Sequence, residues 1–183
     1  RADVRLRVLY GGSEEIIEKV ASGEIDLGVV TLPTRRAGLV LKPVWEDRFV
    51  AALLIGHPLA DLKEVPLGRL SGEALLLPQV GTTTRTAIEA AFRKAKVPPG
   101  AVQEIPYLDT IRVSVEMGLG IAILPETAVA EAARGKRLVV RPLSGPPITR
   151  VLGVVHRKGA PLSPVEETFI SILAGAGTAS PPD

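Results

Sequence analysis

Apolar residues recur in this chain with two spacings that take turns along its length, and that alternation restricts the available folds more than any other feature. Val4, Leu6, Val8 and Tyr10 alternate with Arg5 and Arg7, the period of a half-buried strand ending at Gly11-Gly12. Ile16, Ile17, Val20 and Ala21 then share one helical face, behind Ser13 as N-cap and Glu14 and Glu15 in the first turn, until Gly23 stops the pattern. Residues 25–30 read as a buried strand. A helix between two strands with short connections predicts parallel pairing in an α/β sheet.

The same logic continues downstream. Residues 39–44 and 48–55 read as strands, and a second unit begins after Pro66. It holds a strand at 75–77, a turn at 78–81 and a helix at about 83–96. Ala87, Ile88, Ala91, Phe92 and Ala95 form that helix's apolar face, and Pro98-Pro99-Gly100 terminates it. A strand at 102–105, a helix capped by Asp109 and ended by Gly118, a strand at 121–124, a short helix at 126–133 and a strand at 138–140 complete the unit. Pro142, Gly145, Pro146 and Pro147 mark a boundary before a long strand at 149–157. Ser163 and Glu166, with Pro164 at the first helical position, form a capping box for the last helix. Residues 175–183 read as a disordered or appended tail.

Composition narrows the function classes. Hydrophobic residues make up 46% of the chain and aromatics only 3%, so the core must be aliphatic. The 22 Lys and Arg against 20 Asp and Glu leave a net charge of +2, scattered with no basic stripe for nucleic acid. Arg35-Arg36 and Arg157-Lys158 read as solvated surface charge. The absence of Cys excludes disulfides and thiolate metal sites. The first residue is Arg1, with no apolar leader, so the chain reads as a processed or truncated product.

Four phrases carry a family resemblance. They are the run from Val4-Arg5-Leu6-Arg7-Val8 to Gly12-Ser13, Gly23-Glu24-Ile25-Asp26-Leu27-Gly28, His57-Pro58-Leu59-Ala60, and Gly118-Leu119-Gly120-Ile121-Ala122-Ile123-Leu124-Pro125. In order and spacing the chain resembles the effector-binding region of LysR-type transcription regulators from its start to about Leu173. The resemblance implies the type 2 periplasmic binding protein fold: α/β, with two Rossmann-like lobes of mixed, mainly parallel sheets. Residues 1–65 and 149–183 would form one lobe and 66–148 the other. The family places a winged helix-turn-helix, a linker helix and one further strand and helix before the position of Val4. DNA would therefore be read only through a head that this sequence lacks, and the lobe at Val4 would be incomplete.

In open α/β sheets, ligands gather beyond the strand ends, where loops lead into helix starts with unpaired N–H groups suited to small anions. Ser13, Thr31 and the run Gly81-Thr82-Thr83-Thr84 meet that requirement and match the family's effector site. Ordinary helix capping explains threonines and glycine at a helix start equally simply. The resemblance implies a small-molecule effector in the cleft between lobes, a homodimer or tetramer with head-to-tail pairing, a cytoplasmic protein, and neither cofactor nor membrane partner. A solute-binding protein of a transporter shares the fold and is the alternative; an export signal in the complete gene would favour it.

Enzyme readings fare poorly. Gly118-x-Gly120 follows a helix and enters a strand, the reverse of a dinucleotide loop, and residues 81–86 lack the Gly-Lys-Ser/Thr ending of a phosphate loop. His57 and His156 are the only histidines and lack ligand spacing. No catalytic or metal-binding residue is expected.

Overall fold

The computed structural model describes residues 4–33 and 36–177 of the 183-residue chain. Arg35 and the end of the expected tail, from residue 178 on, lie outside the described residues. The chain divides into two compact units, Arg1–Glu46 with Val151–Asp183, and Asp47–Arg150. Residues 47–65, assigned on sequence to the first lobe, belong to the second unit because Phe49, Ala51, Leu53, Leu59 and Val65 are all buried in its core.

In the second unit, apolar runs become a sheet buried on both faces. Its strands are the second half of β2 (Leu39–Leu53), β3 (Ala74–Leu77), β4 (Ala101–Glu104), β5 (Ile121–Pro125) and β6 (Val139–Pro142). β3 is parallel to β4 and β5, whereas β2 is antiparallel to β5 and β6. Side chains alternate between faces along every strand. Phe49, Ala51, Leu53, Leu75, Leu77, Ile121 and Ile123 share one cluster with Ile88 and Phe92 of α2 (Thr83–Ala95). Val50, Ala52, Leu76, Ala122 and Leu124 share the other with α3 (Leu108–Glu116) and α4 (Glu126–Arg134), through Ile111, Val115, Val129 and Ala132. A sheet covered by helices on both faces needs continuous apolar strands, which is what residues 49–53 and 121–125 supply.

Local signals set the helix ends. Gly118 takes φ +78° after α3, where its N–H bonds back to Val115. Two residues on, a Cβ at Gly120 would stand 2.6 Å from the carbonyl oxygen of Ala74, so only glycine lets these segments approach. The residue capping α3 is Tyr107 and not Asp109, which is exposed and lies 3.7 Å from Arg112.

In the first unit, α1 (Ser13–Ser22) packs Ile16, Ile17 and Val20 on Val30 of β1 (Gly28–Leu32) and Val155 of β7 (Thr149–Arg157). β1 pairs antiparallel with β7, Val30 opposite Gly153, and β7 is flanked on its other side by β2. The expected strand at 25–30 begins only at Gly28, because the N–H groups of Glu24 and Ile25 both return to Lys19 O to close α1. The expected strand at 4–10 does not form. Val4, Leu6, Val8 and Tyr10 are exposed, and no strand pairs with them among the described residues, so the predicted parallel opening is absent. Alternation gives a segment a face to bury, but a strand also needs a neighbour.

Two strands expected at 39–44 and 48–55 are the single strand β2, with Glu46-Asp47-Arg48 inside it. The last helix, α5 (Pro164–Gly177), starts as predicted: Ser163 N–H donates to Glu166 Oε2 at 2.6 Å and Glu166 N–H to Ser163 Oγ at 3.3 Å. It runs through Gly175, where a tail was expected.

Candidate functional site

In the first unit, the predicted residues Ser13 and Thr31 meet. Gly12, in extended conformation, is the N-cap of α1, so Ser13 is the first helical residue and not its cap. Freed from capping, the Ser13 hydroxyl oxygen accepts the Thr31 N–H at 3.2 Å and ties the helix start to β1. Both residues are half-buried.

In the second unit, the run Gly81-Thr82-Thr83-Thr84 forms the turn and start of α2, and each residue does something different. Gly81 has φ +89°, a conformation that side chains resist, and open space lies where its Cβ would be. Thr82 is the cap: its Oγ1 accepts the Arg85 N–H at 3.2 Å and its hydroxyl donates to Gln79 O at 2.9 Å. Thr83 is exposed and its hydroxyl makes no hydrogen bond among the described residues. Thr84 is buried at 7% exposure, and its Oγ1 accepts Nη1 of Arg150 at 3.4 Å. The N–H groups of Thr83 and Thr84 precede the first intrahelical hydrogen bond and form the positive end of the helix dipole.

Sequence reasoning missed three residues behind this start. Asp47, 2% exposed, accepts the Arg150 Nη2 donor at 3.1 Å on Oδ2. The same oxygen accepts the Thr127 hydroxyl at 2.8 Å, and Oδ1 takes the Thr127 N–H at 3.5 Å, so the carboxylate also caps the first turn of α4. The Arg150 guanidinium lies 5.9 Å from the centre of the Phe49 ring. The available clue was an acidic residue inside a strand that otherwise alternates or runs apolar, read instead as a break.

Two grooves border α2. One of about 350 Å³ is lined by Leu77, Ile88, Phe92 and Val97 beside Arg85, and one of about 680 Å³ by alanines of α2 and residues 144–149. Residues 81–84 line neither. Nδ1 of His57 accepts the Leu59 N–H at 3.1 Å, a capping role, and Nε2 stands 3.6 Å from Glu73. Among the described residues no cluster of three or more His, Cys, Asp or Glu could hold a metal ion, and no helix is long and apolar enough to cross a membrane.

Residues 1–177 match the LysR substrate binding domain family. The chain is 33% identical over 156 residues to a probable nitrogen assimilation transcriptional activator of Synechococcus elongatus, covering 83% of this chain and 50% of that protein. It is 30% identical over 170 residues to the HTH-type transcriptional regulator CfxR of Cupriavidus necator, covering 93% and 54%. The chain thus spans about half the length of these curated relatives. Among solved structures it is similar to the Synechocystis CcmR regulatory domain in complex with 2-PG, with a TM-score of 0.75, 25% identity, and 91% and 80% of the two chains covered.

Proposed function

This chain belongs to the LysR substrate binding domain family, and on that premise we propose that it senses a small anionic metabolite for a transcription regulator, through the polar helix starts at Ser13 with Thr31 and at Gly81-Thr82-Thr83-Thr84. One observation carries the reading: Thr82 alone caps α2, which leaves the exposed Thr83 hydroxyl and the N–H groups of Thr83 and Thr84 for a ligand. Capping needs one side chain, and three consecutive threonines exceed that need. The complex of CcmR with 2-PG supports a small ligand for this kind of domain.

The chain acts by binding and not by catalysis, without a cofactor. The effector favours one conformation of the domain, and in the whole cytoplasmic regulator that population shift passes through a homodimer or tetramer to a DNA-binding head.

Thermal shift against small carboxylates, sulfate-like anions and aromatic acids tests the proposal, with Thr83→Ala alongside. A ligand at 100 times its Kd adds about 2.7 kcal/mol of stability, well within detection. The expected result is a shift by one anion class that shrinks in Thr83→Ala. Equal shifts in both proteins would remove Thr83 from the site, and shifts by neutral compounds alone would remove the anionic class.

A further inference from the structure

An arginine guanidinium carries five N–H donors, and a buried one is stable only where those donors and its charge are met. Arg150 falls short on both counts. Its Nη2 donates to Asp47 at 3.1 Å, its Nη1 makes only a 3.4 Å bond to Thr84, and its Nε is buried with no acceptor among the described residues. The counter-ion is divided as well. Asp47 Oδ2 also holds the Thr127 hydroxyl and Oδ1 the Thr127 N–H, so no fork forms with Arg150. Arg48 and Glu126 show the complete arrangement elsewhere in this unit, with Nε and Nη2 each on its own carboxylate oxygen at 2.6 and 3.2 Å.

The incomplete cation stands beside the start of α2. Thr84, which its Nη1 touches, is the second residue of the helix, next to the uncommitted Thr83. The Arg150 side chain keeps 15% exposure while that of Asp47 keeps 1%, so the arginine is the partner that retains contact with solvent. An oxyanion bound to the N–H groups of Thr83 and Thr84 would lie against Thr84 and within the field of Nη1.

We infer that Arg150 is the specificity-determining cation of the α2 site: it selects anionic over neutral ligands and shares its guanidinium between Asp47 and the ligand. The inference rests on the reading of α2's start as the effector site. Asp47 tolerates the sharing because Thr127 and the positive end of α4 still hold its charge. Asp47 is therefore a positioning residue that weakens anion binding by occupying the guanidinium, whereas Arg150 strengthens it.

Titration of the chain with inorganic sulfate, with dimethyl sulfone as the neutral counterpart, tests this by NMR of the Thr83 and Thr84 amides and the arginine Nε–H signals. Sulfate should shift both amides in the unsubstituted chain and dimethyl sulfone should not. Arg150→Gln should weaken sulfate about tenfold, and Asp47→Asn should tighten it about threefold by releasing the guanidinium. The double variant Asp47→Asn with Arg150→Gln removes both charges together, restores stability lost in Arg150→Gln, and should remain weak for sulfate. A pair with a merely structural role would weaken binding in both single variants, so a loss of affinity in Asp47→Asn overturns the inference. Unchanged affinity in the folded double variant also overturns it while leaving the α2 site standing. No response of Thr83 and Thr84 to sulfate overturns the inference and the α2 site together.

Discussion

Asp47 and Arg150, 103 residues apart in sequence, meet at 3.1 Å as the first and last residues of the second unit. Asp47 lies on β2 and Arg150 on β7, and the pair is tied further to α4 through Thr127 and to α2 through Thr84. Removing one partner of a buried pair leaves an uncompensated charge, which costs about 3–5 kcal/mol. Asp47→Ala should lose that much stability in urea denaturation, because Asp47 is 2% exposed and Arg150 pairs with no other carboxylate among the described residues. Thr127→Ala, which removes one donor to the same oxygen, should cost about 1 kcal/mol. A loss under about 1 kcal/mol in Asp47→Ala would show that water replaces the carboxylate at no penalty.

Gly28 is fixed by the packing of α1. A Cβ built there would stand 2.5 Å from Ile16 Cγ2 and 2.9 Å from Val155 Cγ1, so the helix lies directly on the glycine backbone. Gly28→Ala should push α1 off β1 and cost about 1–3 kcal/mol, as overpacked cores do. Hydrogen exchange should show the loss concentrated in residues 13–32. Uniform loosening of both units would contradict a local cause.

The readable parts of this fold were those whose signals are local. The capping box at Ser163 and Glu166, the apolar face of α2 and the run at 149–157 each carry their instruction within a few residues, and each formed where expected, except that Ala95 at the end of α2 is exposed. Residues 4–10 misled because alternation describes one edge of a pair, and pairing belongs to the neighbour. β2 reads as two strands because the charged Glu46-Asp47-Arg48 interrupts its apolar pattern, yet Asp47 bonds Arg150 and Thr127, partners that no spacing rule connects to it. The same distance hid the arginine beside the threonine run. The hydroxyls of the proposed site stand together in the sequence at 82–84; the arginine proposed to serve it does not.

The two kinds of apolar residue should respond oppositely to substitution. Leu76 is completely buried in the cluster that the sheet shares with α3 and α4, so Leu76→Ala should cost about 2–5 kcal/mol through lost burial and a residual cavity. Leu6 is 68% exposed, and Leu6→Ser should stay within about 0.5 kcal/mol in this chain. Thermal denaturation of the two variants decides it. A large loss in Leu6→Ser would mean that residues 4–10 bury their apolar face after all.

Acid should loosen α5 through one carboxylate. The Ser163 hydroxyl, and then its backbone N–H, hold the Glu166 carboxyl below its ordinary value of 4.5, with the charges of His156 and Arg157 acting the same way and burial opposing them. A lowered carboxyl pKa means that the folded chain favours the carboxylate more than the unfolded chain does. Its contribution is therefore complete above pH 4.5 and fades as the pH falls through the lower folded value. Ser163→Ala should move the Glu166 midpoint up toward 4.5 in a carboxyl NMR titration, and should expose the first-turn amides of α5 to faster exchange at neutral pH. An unchanged midpoint in that variant would assign the lowered value to the Ser163 backbone N–H, which alanine keeps, and to the charges of His156 and Arg157, the part that raising the salt concentration erases.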